Sequence, residues 1–85
     1  MLQANTGYYC ETMRDVDLIM SLLEKEGYRW RSGHRPRELY QQAPIIYDID
    51  GMGKFGCKLV IREQHIKRAI AVKNIKNKII AELRR

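Results

Sequence analysis

The chain has 85 residues, of which 45% are hydrophobic and 31% charged, a balance typical of one globular domain and not of a disordered segment. Its longest unbroken apolar run is four residues, 69–72, so the sequence predicts neither a transmembrane span nor a signal peptide. The net charge of +6 resides in residues 51–85, which carry ten Lys or Arg against two Asp or Glu and so indicate an anionic partner or a solvated basic surface.

The first secure element is a helix over about residues 13–26. Thr12 and Asp15 have the spacing of a capping box, in which a hydroxyl and a carboxylate bind the first free amides of a helix. Before it we predict a flexible arm over residues 1–7 and a short strand over 8–10. The apolar stripe of the helix and its left-handed terminal glycine are Val16, Ile19, Met20, Leu23 and Gly27.

Aromatic and basic residues alternate over residues 28–32, which is the pattern of a strand with one buried face. This alternation places Trp30 in the core and Arg29 and Arg31 in solvent. A polar connection follows, with one helical turn after Pro36, because proline suits the first position of a helix.

Two further strands are predicted over residues 45–50 and 57–62, joined as a hairpin by the turn residues 50–53. The motif Gly51-Met52-Gly53-Lys54-Phe55-Gly56 is spelled like a dinucleotide-binding loop. A β-prone segment follows it where that loop requires a helix, and the remaining chain is too short for a βαβ unit. We therefore interpret the motif as a glycine-rich hairpin turn.

The tail after Gly56 contains neither glycine nor proline, and two structures fit it. One is a strand over residues 69–72 followed by a helix capped by Asn74. The other is a continuous basic helix over residues 64–85, which places Glu63 at its start and two arginines at its end, both favourable to the helix dipole. We prefer the continuous helix.

The expected fold is α+β, in the order β-α-β-β-β-α, within a single domain. A small sheet of three to four strands and one packed amphipathic helix form a core over residues 8–62. The basic helix over residues 64–85 completes the domain.

No arrangement of residues in the sequence predicts a catalytic centre, a metal site or a cofactor site, so we expect a protein that is not an enzyme. Cys10, His34, Cys57 and His65 lack the paired spacing of zinc ligands. The two cysteines form no disulfide framework, which predicts reduced thiols and a cytoplasmic protein.

The basic residues supply the candidate binding surface. Arginines that alternate with aromatics suit nucleic acid, but alternation buries the aromatics and leaves the arginines solvated. The lysines near the C-terminus are therefore the stronger electrostatic candidate. The candidate residues for binding a partner or a nucleic acid are Arg29, Arg31, Arg35, Lys67, Arg68, Lys73, Lys76 and Lys78.

The segment Gly27-Tyr28-Arg29-Trp30-Arg31-Ser32-Gly33, after a strand and a capped helix, resembles a recurring pattern in small phage and prophage proteins. There an aromatic-x-tryptophan-x-serine-glycine strand follows a leucine-rich helix and precedes a hairpin. The resemblance covers residues 8–62 and leaves the C-terminal helix outside it. It implies a phage-encoded accessory protein, of which anti-CRISPR proteins and other anti-defence inhibitors are the best-known binding class.

We therefore expect a phage-type binding protein that occludes a host macromolecule such as a CRISPR-type defence nuclease in the host cytoplasm. One alternative is a nucleic-acid-binding module that contacts DNA or RNA through the basic C-terminal helix. A further alternative is a small-ligand sponge with its pocket at a subunit interface.

A homodimer is also expected from the tail. A continuous helix would be apolar on two sides, and a protomer of this size can cover one of them. A two-fold dimer would bury the second side. The predicted interface residues are Val72, Ile75, Ile79 and Leu83.

Overall fold

A five-stranded mixed β-sheet organises the chain. The computed structural model describes all 85 residues. The spatial order of the strands is β2-β4-β3-β1-β5, with β1 antiparallel to β3, β3 antiparallel to β4, and the two edge strands parallel to their neighbours. The strands are Thr6–Cys10 (β1), Arg29–Trp30 (β2), Ile45–Ile49 (β3), Lys54–Leu59 (β4) and Ile70–Ala71 (β5).

Three α-helices accompany the sheet, namely Met13–Lys25 (α1), Glu63–Lys67 (α2) and Lys76–Leu83 (α3). The predicted α+β class is confirmed. The sheet is larger than the three to four strands expected, because β5 forms within a segment that was expected to be helical. None of the helices has the length and apolar character needed to cross a bilayer.

The capping box at the start of α1 is confirmed. The Asp15 N–H donates to the Thr12 hydroxyl, and the Asp15 carboxylate accepts from the Thr12 N–H, each at 3.3 Å. The same carboxylate also accepts the N–H of Glu11 at 3.0 Å. Gly27 ends the helix with a φ of 82°, a left-handed conformation that costs glycine little.

One face of the sheet is buried beneath α1 and α3. Tyr8, Tyr47 and Phe55 point to that face and are almost fully buried. Trp30 is 7% exposed, its ring centroid lies 4.2 Å from that of Phe55, and its indole N–H donates to the Pro36 carbonyl at 3.0 Å. The predicted alternation is therefore confirmed, with Trp30 in the core and its arginine neighbours in solvent, but the strand is limited to Arg29–Trp30 within the predicted residues 28–32. The 3₁₀ turn Pro36–Glu38 confirms the helical turn predicted after Pro36.

The β3–β4 hairpin is confirmed, but β4 begins three residues before the predicted start at residue 57 and ends at Leu59, three residues before the predicted end at residue 62. The Asp50 carboxylate accepts the N–H groups of Met52 at 2.8 Å and of Lys54 at 2.9 Å, and Gly53 has a φ of 79°. These contacts close the turn within four residues. The second half of the glycine motif is therefore strand, as expected of a hairpin.

The preference for a continuous helix over residues 64–85 was wrong. The tail forms α2, then β5, then a 3₁₀ turn over Val72–Asn74, and then α3. The pairing of β5 with β1 joins Tyr8 to Ile70 and Tyr9 to Ala71, so the chain reaches the sheet between the two helices. This strand interrupts the helix, so that Val72 and Ile79 are buried in the core beside α1, while α2, which has no buried residue, lies on the other side of the sheet.

The four residues predicted to form the dimer interface are covered within the protomer itself. Val72 and Ile79 are fully buried in the core, and Ile75 and Leu83 pack against it while partly buried. Their partner is α1, against which α3 packs. The assignment of these four residues to a dimer interface was therefore wrong. The homodimer stays a prediction, without the stripe that first suggested it.

The predicted flexible arm over residues 1–7 was also wrong. Leu2 is 9% exposed and belongs to the core, and its N–H donates to the Glu26 carboxylate at 3.0 Å. The N–H of Gln3 donates to the Tyr8 hydroxyl at 2.9 Å. Residues 6 and 7 already belong to β1. The beginning of the chain is thus packed beside the end of α1.

We predict that Ile79→Ala lowers the free energy of unfolding by about 2–5 kcal/mol, the usual cost of a cavity at a fully buried aliphatic site. Urea denaturation measures this change. Ile61→Ala serves as the control, because Ile61 is 79% exposed and its truncation should change the unfolding free energy by less than about 0.5 kcal/mol. Equal effects of the two substitutions would contradict the placement of α3 in the core.

Candidate functional site

The face of the sheet turned away from α1 and α3 is the candidate functional site, and we call it the open face. The strand registers place alternate residues of four neighbouring strands on it. A half-buried tyrosine and a buried isoleucine lie among charged residues. The open face comprises Tyr9, Arg29, Ile46, Asp48, Lys54, Gly56 and Lys58.

Three exposed cations on or beside the open face have no carboxylate within ion-pair distance: Arg29, Lys54 and Arg68. Lys58 differs, because its Nζ lies 3.2 Å from Oδ2 of Asp48. Cations without internal partners remain available to an external anion.

Arg31 reaches the open face from the residue after β2. Its Nε lies 3.9 Å from Oδ2 of Asp50, and its guanidinium lies over Gly56. A Cβ built on Gly56 would lie 3.3 Å from the nearest guanidinium nitrogen, so glycine leaves room for that group. The side chain is 63% exposed, which makes the ion pair a weak, solvent-screened contact.

The Asp50 carboxyl has a pKa below its ordinary value. The main cause is the hydrogen bond from the Lys54 backbone N–H, with further contributions from the Met52 N–H and the charge of Arg31. Each of these contacts stabilises the carboxylate form. Asp50 is therefore charged at neutral pH and acts as a fixed part of the turn.

A small cavity of about 220 Å³ lies where α2 and the residues after it meet the open face. Gly7 forms its floor, and a Cβ there would come within 2.7 Å of Oδ1 of Asp48. Lys58 and Arg68 provide positive charge at its wall, and His65 closes another side. The Nδ1 atom of His65 is buried without a hydrogen-bond partner. The cavity is too small for a ligand of ordinary drug size.

The eight predicted binding residues do not form one patch. Arg29 and Arg31 lie beside β4 at one edge of the sheet, whereas Arg68 follows α2 and lines the cavity next to β1 and β3. Arg35 pairs with Glu38 at 3.2 Å, and Lys73 pairs with Glu11 at 2.9 Å. The remaining three are solvent-accessible on the short helices, Lys67 on α2 and Lys76 and Lys78 on α3.

Sequence reasoning missed Lys54 and Lys58 on the open face. Lys54 was placed in the connection before the strand, although it is the first residue of β4. The signal for both was the alternation of lysine with Phe55 and Cys57, the same pattern that assigned Arg29 and Arg31.

The thiols and imidazoles are scattered. Nowhere do three His, Cys, Asp or Glu side chains form a group that could hold a metal ion. Cys10 is fully buried, and burial raises the pKa of its thiol to about 12, with a smaller contribution from the Asp15 carboxylate. Cys57 is exposed, and partial burial of its thiol raises the pKa to a lesser degree.

Comparison of the chain with protein-family models, with curated proteins and with solved structures finds no match. The open face is therefore interpreted from its own charges and contacts.

We predict that an alkylating reagent at neutral pH adds once to the folded protein, at Cys57. Cys10 should react after unfolding in urea, because its thiol is fully buried and its pKa is raised to about 12. Mass spectrometry of peptides measures both rates. Cys57→Ser is the control and should leave the folded chain unlabelled, whereas equal rates at the two thiols would contradict the structure.

We also predict that the Asp50 carboxyl titrates below 3.8, its ordinary pKa. Because the folded pKa is depressed, Asp50 stabilises the fold above 3.8, and that contribution is lost as the pH falls through the folded pKa. Carbon NMR of the carboxyl group measures the midpoint. Arg31→Gln should raise it slightly, since the backbone N–H groups remain in place. A midpoint at or above 3.8 in the unmodified chain would exclude these contacts.

Proposed function

We propose that the protein is a non-enzymatic binding protein that attaches through the open face to an acidic surface of a host protein and occludes it. The observation that carries this proposal is the set of exposed cations without ion-pair partners on and beside the open face: Arg29 and Lys54 on the paired strands β2 and β4, and Arg68 at the end of α2. The partner class is a host defence protein such as a nuclease, and the compartment is the host cytoplasm.

The charge of the open face supports binding to an anionic surface. Opposite charges on two proteins accelerate their encounter and orient them, which is the main effect of exposed charges at an interface. The lysine and arginine side chains on the open face project from strands, so the backbone holds their positions relative to one another. Because the strands fix the attachment points of these side chains, less conformational freedom is lost on binding than with cations on a flexible tail.

The placement of the aromatic side chains favours a protein partner over a nucleic acid. Bases stack on exposed aromatic rings in most single-strand binding surfaces. Trp30 and Phe55 lie in the core, and Tyr9, the one aromatic residue on the open face, is half-buried. Asp48 and Asp50 lie beside the cations; they would repel the uniform negative charge of a phosphate backbone, whereas on a protein surface basic residues lying among the acidic ones can face them. A mixed array of both charges matches a protein surface.

The resemblance of residues 8–62 to small phage and prophage proteins supports the inhibitory role. Small phage-encoded domains of this size often act by stoichiometric binding to a host factor. The open face lies within the part of the chain that the resemblance covers, whereas Arg68, beside that face, lies outside it.

We predict that Arg29→Glu with Lys54→Glu lowers retention of the partner about tenfold or more, because two attractive contacts become repulsive. The measurement is capture of bacterial lysate proteins on the immobilised chain, quantified by mass spectrometry for both versions. The matched control is Lys76→Glu with Lys78→Glu, which makes the same change of charge on α3. Circular dichroism verifies that each variant is folded.

Three outcomes distinguish the hypotheses. A protein retained by the unmodified chain and by the α3 control, but lost with the open-face variant, supports the proposal. Retention of nothing above background contradicts it. Capture of DNA or RNA that weakens steeply with salt and is lost with the α3 variant would favour the nucleic-acid-binding alternative.

A further inference from the structure

The cavity of about 220 Å³ beside α2 has room for one small anion. Sites for drug-sized ligands have volumes of ~300–1,000 Å³, so a nucleotide would not fit here, whereas a single tetrahedral ion would. The charged side chains of the cavity wall are Lys58, Arg68 and Asp48, and the His65 ring lies against it as well. The two cations outnumber the one carboxylate, so the wall carries an excess of positive charge, which attracts an anion.

The cations of the cavity wall have hydrogen-bond donors that the chain leaves unused. Arg68 has no carboxylate within ion-pair distance, and a guanidinium presents five N–H donors. Nζ of Lys58 lies 3.2 Å from Oδ2 of Asp48, a contact that occupies one of the three donors of an ammonium group. The buried Nδ1 atom of His65 has no partner either. A buried polar atom is costly to leave unpaired, and an ion in the cavity lies against the same ring.

Asp48 makes the cavity selective, because its carboxylate is the one charged acceptor in the wall. Its Oδ1 lies over Gly7, where a Cβ would come within 2.7 Å of it, so glycine leaves room for the carboxylate at the cavity floor. An ionised carboxylate accepts hydrogen bonds and cannot donate them. It therefore repels an anion that has no hydrogen, and it accepts a hydrogen bond from an anion that carries an O–H group.

We infer that the cavity binds inorganic phosphate, which keeps at least one O–H group at neutral pH. Arg68 and Lys58 donate to the oxygens of the ion, and the O–H group of the ion donates to Asp48. Sulfate and the phosphodiesters of nucleic acids have no O–H group, so the same carboxylate disfavours them. A phosphate monoester has a second pKa of about 6 and has lost its O–H group at pH 7.5. The ligand is therefore the free ion.

The binding is weak, because Lys58 and Arg68 are exposed and salt screens their charges. We expect a dissociation constant of about 0.1–5 mM for phosphate. The cavity lies beside the open face, and it takes its ligand without a host protein. The experiment uses the unmodified chain and simple ions, so its failure and a failure of the proposed function are distinguishable.

An NMR titration at pH 7.5 and constant ionic strength compares phosphate, sulfate and methyl phosphate. The Cε1 proton of His65 and the methyl group of Ala69 report binding, since both residues line the cavity. The three ions are alike in charge, and phosphate alone has a donor for Asp48. Phosphate should therefore bind about tenfold more tightly than either of the others. Equal affinities for the three ions, or no saturable shift up to about 20 mM phosphate, would overturn the inference.

Asp48→Asn tests the selectivity. The amide has the shape of the carboxylate and can donate a hydrogen bond, so sulfate should bind more tightly than it does to the unmodified chain. The preference for phosphate should fall to within about twofold. An unchanged preference in this variant would contradict the inference. The comparison of the three ions on the unmodified chain decides the question even if the variant does not fold.

Arg68→Gln tests the contribution of the unpaired guanidinium and should weaken phosphate binding at least about fivefold. The matched control is Arg14→Gln, which also removes an exposed arginine without a carboxylate partner, from α1 on the other side of the sheet. It should change the dissociation constant by less than about twofold, because the charge lies beyond the range of a direct contact. Equal effects of the two substitutions would mean that phosphate responds to overall charge and not to this cavity.

Discussion

The parallel pairing of β5 with β1 determines how the rest of the chain is arranged around the sheet. It consists of two residue pairs, Tyr8 with Ile70 and Tyr9 with Ala71. Before this contact the chain lies over the open face as α2, and after it the chain crosses to the other side and packs as α3 against α1. Val72 directly follows β5, and both Val72 and Ile79 are fully buried in the core. The same crossing leaves α2 too short to cover the open face, so the charged residues there remain accessible.

The parts of the fold that depend on local signals could be predicted from the sequence. α1 has a capping box, an apolar stripe and a terminal glycine, and all three agree. In the tail after Gly56, the local signals did not agree on one structure. Its two apolar sets fit either one helix or a broken chain, and a two-residue strand has almost no propensity of its own. The pairing of β5 with β1, about sixty residues earlier in the chain, selects the interrupted arrangement over the continuous helix. Local sequence does not reveal a pairing between such distant residues.

The candidate site could be predicted only in part, because it too depends on contacts between distant parts of the chain. Arg29 and Arg31 were assigned to solvent correctly, because alternation beside a buried tryptophan identifies the exposed face of a strand. Lys54 and Lys58 were missed, because the start of β4 depends on the hydrogen bonds that Asp50 makes in the turn. Lys76 was grouped with the arginines because both are basic, although the crossing at β5 separates them. Charge composition identifies which residues are available, and topology decides which of them share a surface.

The position of Trp30 makes its fluorescence a probe of one edge of the sheet. It is the single tryptophan of the chain, and it is buried against Phe55 with its indole N–H bonded to the Pro36 carbonyl. Its fluorescence therefore reports the packing of β2, β4 and the turn after β2, at the opposite end of the sheet from β5. Far-ultraviolet circular dichroism is dominated by the helices, above all α1. Coincident unfolding curves from the two signals would mean that the helices and the tryptophan edge of the sheet unfold as one cooperative unit. Separated curves would mean that the helices can unfold while the tryptophan edge stays folded, or the reverse.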